Sequence, residues 1–188
     1  MVEIITYQHS WLVDFHSIAK ILRTALGDLA LRIDHIGSTS VEGLAAKDVI
    51  DIQISVAEFS PALIAAMNSA GYQLKEKLSW DHIPPLSAGT EENWQKLYFQ
   101  APPGQRRTHT HVRIIGRANQ RYPILFRDYL RTHTATAQAY AELKLRLATH
   151  LADPEMYPEV KDPAVDLIFF AAEAWAEATA WQPGPSDA

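Results

Sequence analysis

The residues best suited to chemistry fall in two stretches. In the first, Gly37-Ser38-Thr39-Ser40 closes one apolar run, and Asp51 and Gln53 lie inside the next, IDIQISV. A glycine turn with three hydroxyls and free N–H groups can cradle an anion such as a phosphate. Strand side chains alternate between faces, so Asp51, Gln53 and Ser55 share one face while Ile50, Ile52, Ile54 and Val56 share the other. Asp51 and Gln53 then stand roughly 6.5–7 Å apart and point into one space. A carboxylate beside Val49, Ile50 and Ile52 needs a cation, a donor or water. The two runs together read as a phosphate cradle beside a carboxylate suited to a metal ion.

The second stretch is THTHVRI, in which His109, His111 and Arg113 share one face. Two histidines at this spacing can bind one metal ion or two phosphate oxygens; the alternative is a solvated polar sheet face. Arg106 and Arg107 precede them, and Arg127 and Arg131 lie one helical turn apart. Guanidinium forks suit phosphate, or they pair with Asp128 or Glu142. Lys47 either contacts phosphate or is solvated, and Asp81 and His82 are either lid residues or ordinary loop residues.

The elements that must position these residues follow from periodicity. Trp11, Phe15, Ile18, Leu22 and Leu26 recur at helical spacing up to Gly27. Strands are expected at Ile33–Ile36 and Ile50–Val56. Ser60-Pro61 opens a helix that Gly71 ends. Strands follow at Tyr72–Ser79, Lys96–Gln100 and Thr108–Ile115, separated by a long loop from Trp80 to Glu92 that contains Pro84, Pro85 and Gly89. The rest reads as helices: one opened by Pro123, one over Ala135–Leu151 and one capped by Asp162-Pro163. The fold class is therefore α+β (α/β), a mixed sheet with flanking helices and a helical C-terminal part. One domain is expected over residues 1–181, with its core at about 1–116, its helical part at about 117–181 and a flexible tail at 182–188.

Composition sets the remaining bounds. The chain has 188 residues, 47% of them hydrophobic, which is enough for a sizeable core. A net charge of −5 argues against bulk nucleic-acid binding, and the absence of cysteine excludes disulfides and thiolate metal sites. No apolar run reaches transmembrane length, and the N-terminal residues lack the pattern of a signal peptide. A soluble cytoplasmic protein is the expectation, with oligomeric state left open.

The segment HIGSTSVEGLAAKDVIDIQI resembles the signature of the GrpB family, a branch of the nucleotidyltransferase superfamily that includes polymerase-β-like enzymes. That superfamily has a Gly-Ser or Gly-Gly turn, here Gly37-Ser38, followed by an Asp-x-acid strand, here Asp51-Ile52-Gln53. The resemblance continues through RRTHTHV, LFRDYLR and the spacing of Tyr140 with Lys144, and covers most of residues 1–170.

The resemblance implies a polymerase-β-like fold and metal-dependent transfer of a nucleotidyl group from a nucleoside triphosphate to an unknown small-molecule or protein acceptor. By it, Asp51, Ser38 and His111 are catalytic. Gly37, Ser38, Thr39, Lys47 and Arg113 hold the nucleotide. Asp51, His109 and His111 hold a divalent cation, magnesium or manganese rather than zinc, with the histidines replacing a third carboxylate. Some GrpB-like domains are fused to a kinase of coenzyme A biosynthesis. The chain departs from the family at Glu42 and Asp48, where proline is usual and which read as surface changes. It departs from the superfamily at Gln53, whose neutral amide is a poorer ligand than an acid. Two other readings therefore stay open. One is a nucleotide-binding or interaction module that kept the fold and lost the second acid. The other is a hydrolase built on His35, His109, His111 and Asp51, a set better suited to zinc or manganese than to magnesium.

Overall fold

The structure, a computed structural model, describes residues 2–87 and 90–188. Gly89 of the expected long loop lies outside the described residues. A mixed five-stranded sheet is built from β1 (Arg32–Ile36), β2 (Ile50–Val56), β3 (Gln73–Leu74), β4 (Leu97–Gln100) and β5 (Thr108–Ile114), in the order β1-β2-β5-β4-β3. β2 runs antiparallel to β1 and parallel to β5, and the outer pairs are antiparallel. The helices are α1 (Ser10–Leu26), α2 (Pro61–Ser69), α3 (Ala118–Thr132), α4 (Thr134–His150) and α5 (Tyr157–Thr179). This is the expected α+β architecture, with the strands of Ile33 and Asp51 as neighbours.

The alternation in β2 decides which layer covers which face. Ile50, Ile52 and Ile54 are fully buried in one core with Trp11, Phe15, Ile18 and Leu22 of α1 and Leu63 and Met67 of α2. Each fully buried aliphatic side chain contributes about 1.5–3 kcal/mol relative to exposure. A second core joins Leu125, Tyr129 and Leu130 of α3 to Ala137 and Tyr140 of α4 and Phe169, Ala172 and Ala176 of α5. Val41 and Leu44, just past the glycine turn, belong to this second core. The polar face of β2 and β5 therefore lies between the sheet and a helical layer.

Three boundaries differ from expectation. Gln73–Leu74 alone pairs in the segment read as a strand from Tyr72 to Ser79; Glu76–Leu78 forms a 3₁₀ turn. α3 begins at Ala118, before Pro123, because tertiary bonds hold its first turn: Gln120 accepts from Gly116 N, and its own carbonyl accepts from Gln53. α5 begins at Tyr157, with Pro158 in its first turn, where a missing N–H costs little, and Pro163 within. The closing residues, expected to be a flexible tail, are docked along β1. Ile33 N donates to Ser186 Oγ at 2.9 Å, His35 N to Asp187 Oδ2 at 2.9 Å, and Arg32 to the Gly184 carbonyl at 2.7 Å. Composition missed this because the edge of β1 offers donors to a polar, extended segment. Among the described residues, no helix is long and apolar enough to cross a membrane.

Candidate functional site

Register places the chemical residues in pairs. On the polar face, Asp51 stands opposite His109, Gln53 opposite His111 and Ser55 opposite Arg113. The first pair meets directly, with His109 Nδ1 2.9 Å from Asp51 Oδ1. Asp51 thus finds the polar partner its position demands.

The glycine turn is shaped around that carboxylate. Gly37 has φ 69° and ψ −175°, a region open essentially to glycine alone. A Cβ at Gly37 would lie 2.7 Å from Asp51 Cγ and closer still to Oδ2. The turn is held from behind. Ser40 Oγ donates to the Gly37 carbonyl at 2.6 Å, and Arg131 donates to the Ser40 carbonyl at 2.8 Å. His35 Nε2 and Thr39 Oγ1 are 3.0 Å apart, and the His35 ring stacks on Phe15. Burial, with Arg131 and Arg127 adding to it, pushes the His35 pKa down to about 3, so this imidazole is neutral at pH 7.

A cavity of about 390 Å³ opens between the sheet and the helical layer. Gly37, Ser38, Thr39, Lys47, Asp51, His109 and His111 line it, so seven of the eight expected site residues converge there. From the helical side come Lys144, Lys161 and the rings of Tyr122, Phe126, Tyr140 and Tyr157. Lys144 is buried. Its Nζ donates to Ser38 Oγ at 2.8 Å and to the Ala45 carbonyl, and lies 4.6 Å from the centre of the Tyr140 ring. Burial, reinforced by Lys161, lowers its pKa to about 7. Lys47 Nζ lies 4.1 Å over the Tyr157 ring, and burial lowers its pKa too. Lys161 Nζ is 3.4 Å from Asp162.

Arg113 is the exception. It is buried away from the cavity and forks onto Asp81, Nε to Oδ2 and Nη2 to Oδ1, both at 2.8 Å. Its Nη1 donates to Gln53 Oε1 at 2.7 Å, while Gln53 Nε2 donates to the Gln120 carbonyl at 2.8 Å. Lys96 and Asn119 also donate to Asp81. Burial alone would raise the Asp81 pKa; the Arg113 and Lys96 charges overcome it and hold the carboxyl well below its usual range. Asp81 is thus an interior ion-pair centre and not a lid residue. His82 reaches Asp166 of α5 at 3.0 Å. His111 sits between the two groups: it borders the cavity, its Nδ1 has no partner, and burial together with Arg113 and Lys96 pushes its pKa well below the ordinary value.

Of the other candidate arginines, Arg107 borders a separate groove with Tyr98 and His109, and Arg131 is spent on the Ser40 carbonyl. Arg106 pairs with Asp14 and Asp48. Asp48 is more than a surface change, since it also accepts from the indole of buried Trp11 at 2.7 Å. Arg127 is buried and bonds to the His35 carbonyl and to Asp187. Lys144 was legible as part of a motif through its spacing with Tyr140, but neither its role nor Lys161 was. The available signal was position: Ala137, Tyr140 and Lys144 form one buried stripe of α4, so this lysine sits where an apolar residue is expected.

A two-cation site does not fit these residues. The second acid is replaced by Gln53, whose oxygen is already taken by Arg113. The His111 Nδ1 is fully enclosed. Among the described residues, no three His, Asp or Glu side chains gather closely enough to hold a metal ion.

Comparisons with known proteins give the family and the fold. The family model described as GrpB protein matches residues 1–170. A crystal structure of conserved protein GrpB from Enterococcus faecalis is 28% identical, with a TM-score of 0.70 over 92% of this chain and 99% of that one. Cid1 in complex with its short product ApU is 12% identical, with a TM-score of 0.52 over 77% of this chain and 43% of that one, a likeness of fold only, which is nucleotidyltransferase-like. UPF0157 protein PA4798 of Pseudomonas aeruginosa is 35% identical over 92% of this chain and 68% of its own length. A protein named dephospho-CoA kinase from Mycolicibacterium paratuberculosis is also 35% identical, over 92% of this chain and 46% of its own. The chain spans about half the length of that relative. The match of that family model over residues 1–170 makes this chain a member of the GrpB protein family.

Proposed function

We propose that the chain binds a nucleotide in this cavity by its phosphates, without two-cation nucleotidyl transfer. The observation that carries the reading is the Lys144–Ser38 contact at 2.8 Å in the cavity that Gly37, Lys47 and Lys161 also line. Three lysines face one aspartate there, which favours an anionic ligand. The volume is within the range of small-molecule sites, and the aromatic lining offers faces for a base. An arriving phosphate favours the ammonium form of Lys144, so binding above pH 7 takes up a proton.

Calorimetric titration of ATP, GTP, CTP and UTP, in chelator and in manganese, tests this. Binding in chelator is expected, weakened at least tenfold by Lys144→Met. Asp51→Asn is expected to keep that metal-independent binding and to change stability by no more than about 1 kcal/mol, because the side chain borders the cavity. The opposite pattern would favour the other reading, transfer to an acceptor with a cation at Asp51. Its signs are binding only with manganese, loss of binding in Asp51→Asn, and release of pyrophosphate on turnover. The supporting observation for that reading is the room Gly37 leaves for the carboxylate.

A further inference from the structure

Nucleotide binding gives the Ser38–Lys144 contact one use, but its geometry supports another. Ser38 follows the sharp turn at Gly37, is partly exposed, and borders the cavity. Lys144 approaches from α4, 106 residues away, with 2.8 Å between Nζ and Oγ. Its contacts are all neutral: the Ser38 hydroxyl, the Ala45 carbonyl and the Tyr140 ring. No carboxylate within hydrogen-bonding distance holds it as an ammonium among the described residues. A lysine in such surroundings can serve as a base for an adjacent hydroxyl.

We propose that Ser38 and Lys144 form a nucleophile–base pair that hydrolyses an activated carboxylic ester carrying an anionic group. The neutral Lys144 amine takes the Ser38 hydroxyl proton as the Oγ–carbon bond forms at the ester carbonyl. The bond to the leaving oxygen then breaks, and Lys144 returns its proton to that oxygen. Water, activated by the same amine, attacks the acyl-serine. The carboxylic acid leaves, Ser38 regains its hydroxyl, and water is the sole co-reactant. Ile36, Val49 and Phe126 offer an apolar wall for the acyl part, and Lys47 and Lys161 offer charge for the anionic end.

The groups facing Lys144 set its pH response. Asp51 on β2 favours the ammonium and Lys161 on α5 opposes it, while Lys47 and Tyr157 lie across the same cavity and Tyr140 beneath. Burial is the largest influence, and the amine titrates at about 7.

The test uses the full chain and a fluorophosphonate probe, with the adduct mapped by peptide mass spectrometry. A single adduct on Ser38 is expected, formed faster as pH rises from 6 to 8. Lys144→Met and Lys144→Arg should each slow labelling at least a hundredfold while circular dichroism stays native. Arg146→Ala, an exposed residue paired with Glu142, should label like the native chain. Nitrophenyl succinate should be hydrolysed faster than nitrophenyl acetate, with the same pH profile. Two results would overturn the proposal: no Ser38 adduct on the native chain between pH 6 and 10, or a folded Lys144→Arg variant that labels at the native rate. Neither measurement contains a nucleotide, so failure here leaves the calorimetric test of nucleotide binding untouched.

Discussion

One face of two strands serves opposite ends in this molecule. Where Asp51 meets His109, the face opens on a cavity and the polar groups stay within reach of a ligand. Two positions further along, Gln53, Ser55 and Arg113 are sealed, and each polar group is spent on another. The strands do not cause the difference. Asp81 and Lys96 come in from outside this stripe and close over one end, whereas the glycine turn at the other end leaves space. A polar stripe becomes a site only where nothing covers it. The glutamine at position 53 follows from the same logic. It must accept from Arg113 and donate to the Gln120 carbonyl at once, and an ionised acid cannot donate.

The largest effect should come from unsealing the closed end. Asp81→Ala leaves Arg113 and Lys96 buried without their counter-charge and should cost about 3–5 kcal/mol. Urea denaturation at pH 7 measures it; a loss below about 1 kcal/mol would mean that the two cations find water, and that the contrast between the ends is false. The native pair also predicts acid sensitivity. The Asp81 pKa is depressed in the folded state, so its contribution is present above the unfolded value of 3.8 and fades as pH falls below it.

Next in size is Gly37→Ala, which meets both a backbone conformation reserved for glycine and the Asp51 side chain. It should cost about 2–3 kcal/mol. Asp51→Ala in the same chain should return part of that, because it removes the carboxylate the new methyl strikes. A double-mutant cycle with no coupling would show that the turn and the carboxylate are independent.

The smallest effect has the opposite sign. Lys144 titrates at about 7 in the folded chain and near 10.5 unfolded. Between those values the unfolded chain binds the extra proton, so native stability rises with pH across that window. Lys144→Met should therefore stabilise the protein by about 1–3 kcal/mol at pH 7, less its lost hydrogen bonds, and the gain should shrink toward pH 10. Denaturation curves at pH 7 and pH 9.5 check the trend. An equal gain at both would place the ammonium in a solvated position.

Much of the open end was legible in the sequence. Alternation alone put Ile52 in the core and Asp51 on the other face, and the same two-residue period put His109 and His111 on one face of their own strand, which the β2–β5 pairing then brings alongside. The closed end was not legible, because Asp81 is 32 residues from Arg113 in a segment without periodicity, and no local pattern says which arginine it meets. Arg113 looked free for phosphate for that reason. The helix starts at Ala118 and Tyr157 were hidden too. Pro123 and Pro163 resemble first-turn residues, yet they lie inside helices whose opening turns are anchored by other means, Gln120 for α3 and Pro158 near the start of α5. Lys161 gave no signal at all, since a lysine on a helix is ordinarily solvated.

The strap along β1 has a consequence for the order of events during synthesis. β1 is an edge strand, and its N–H groups at Ile33 and His35 are capped by Ser186 and Asp187. Ile33 and Ser186 are separated by 153 residues. At about 5–20 residues per second, the ribosome takes roughly 8–30 s to deliver the cap after the strand it covers. Throughout that interval a strand edge with unpaired donors is open to other chains, and such edges recruit them. Variants of Ser186 should therefore reveal themselves less in the finished fold than in how much of the newborn chain escapes aggregation.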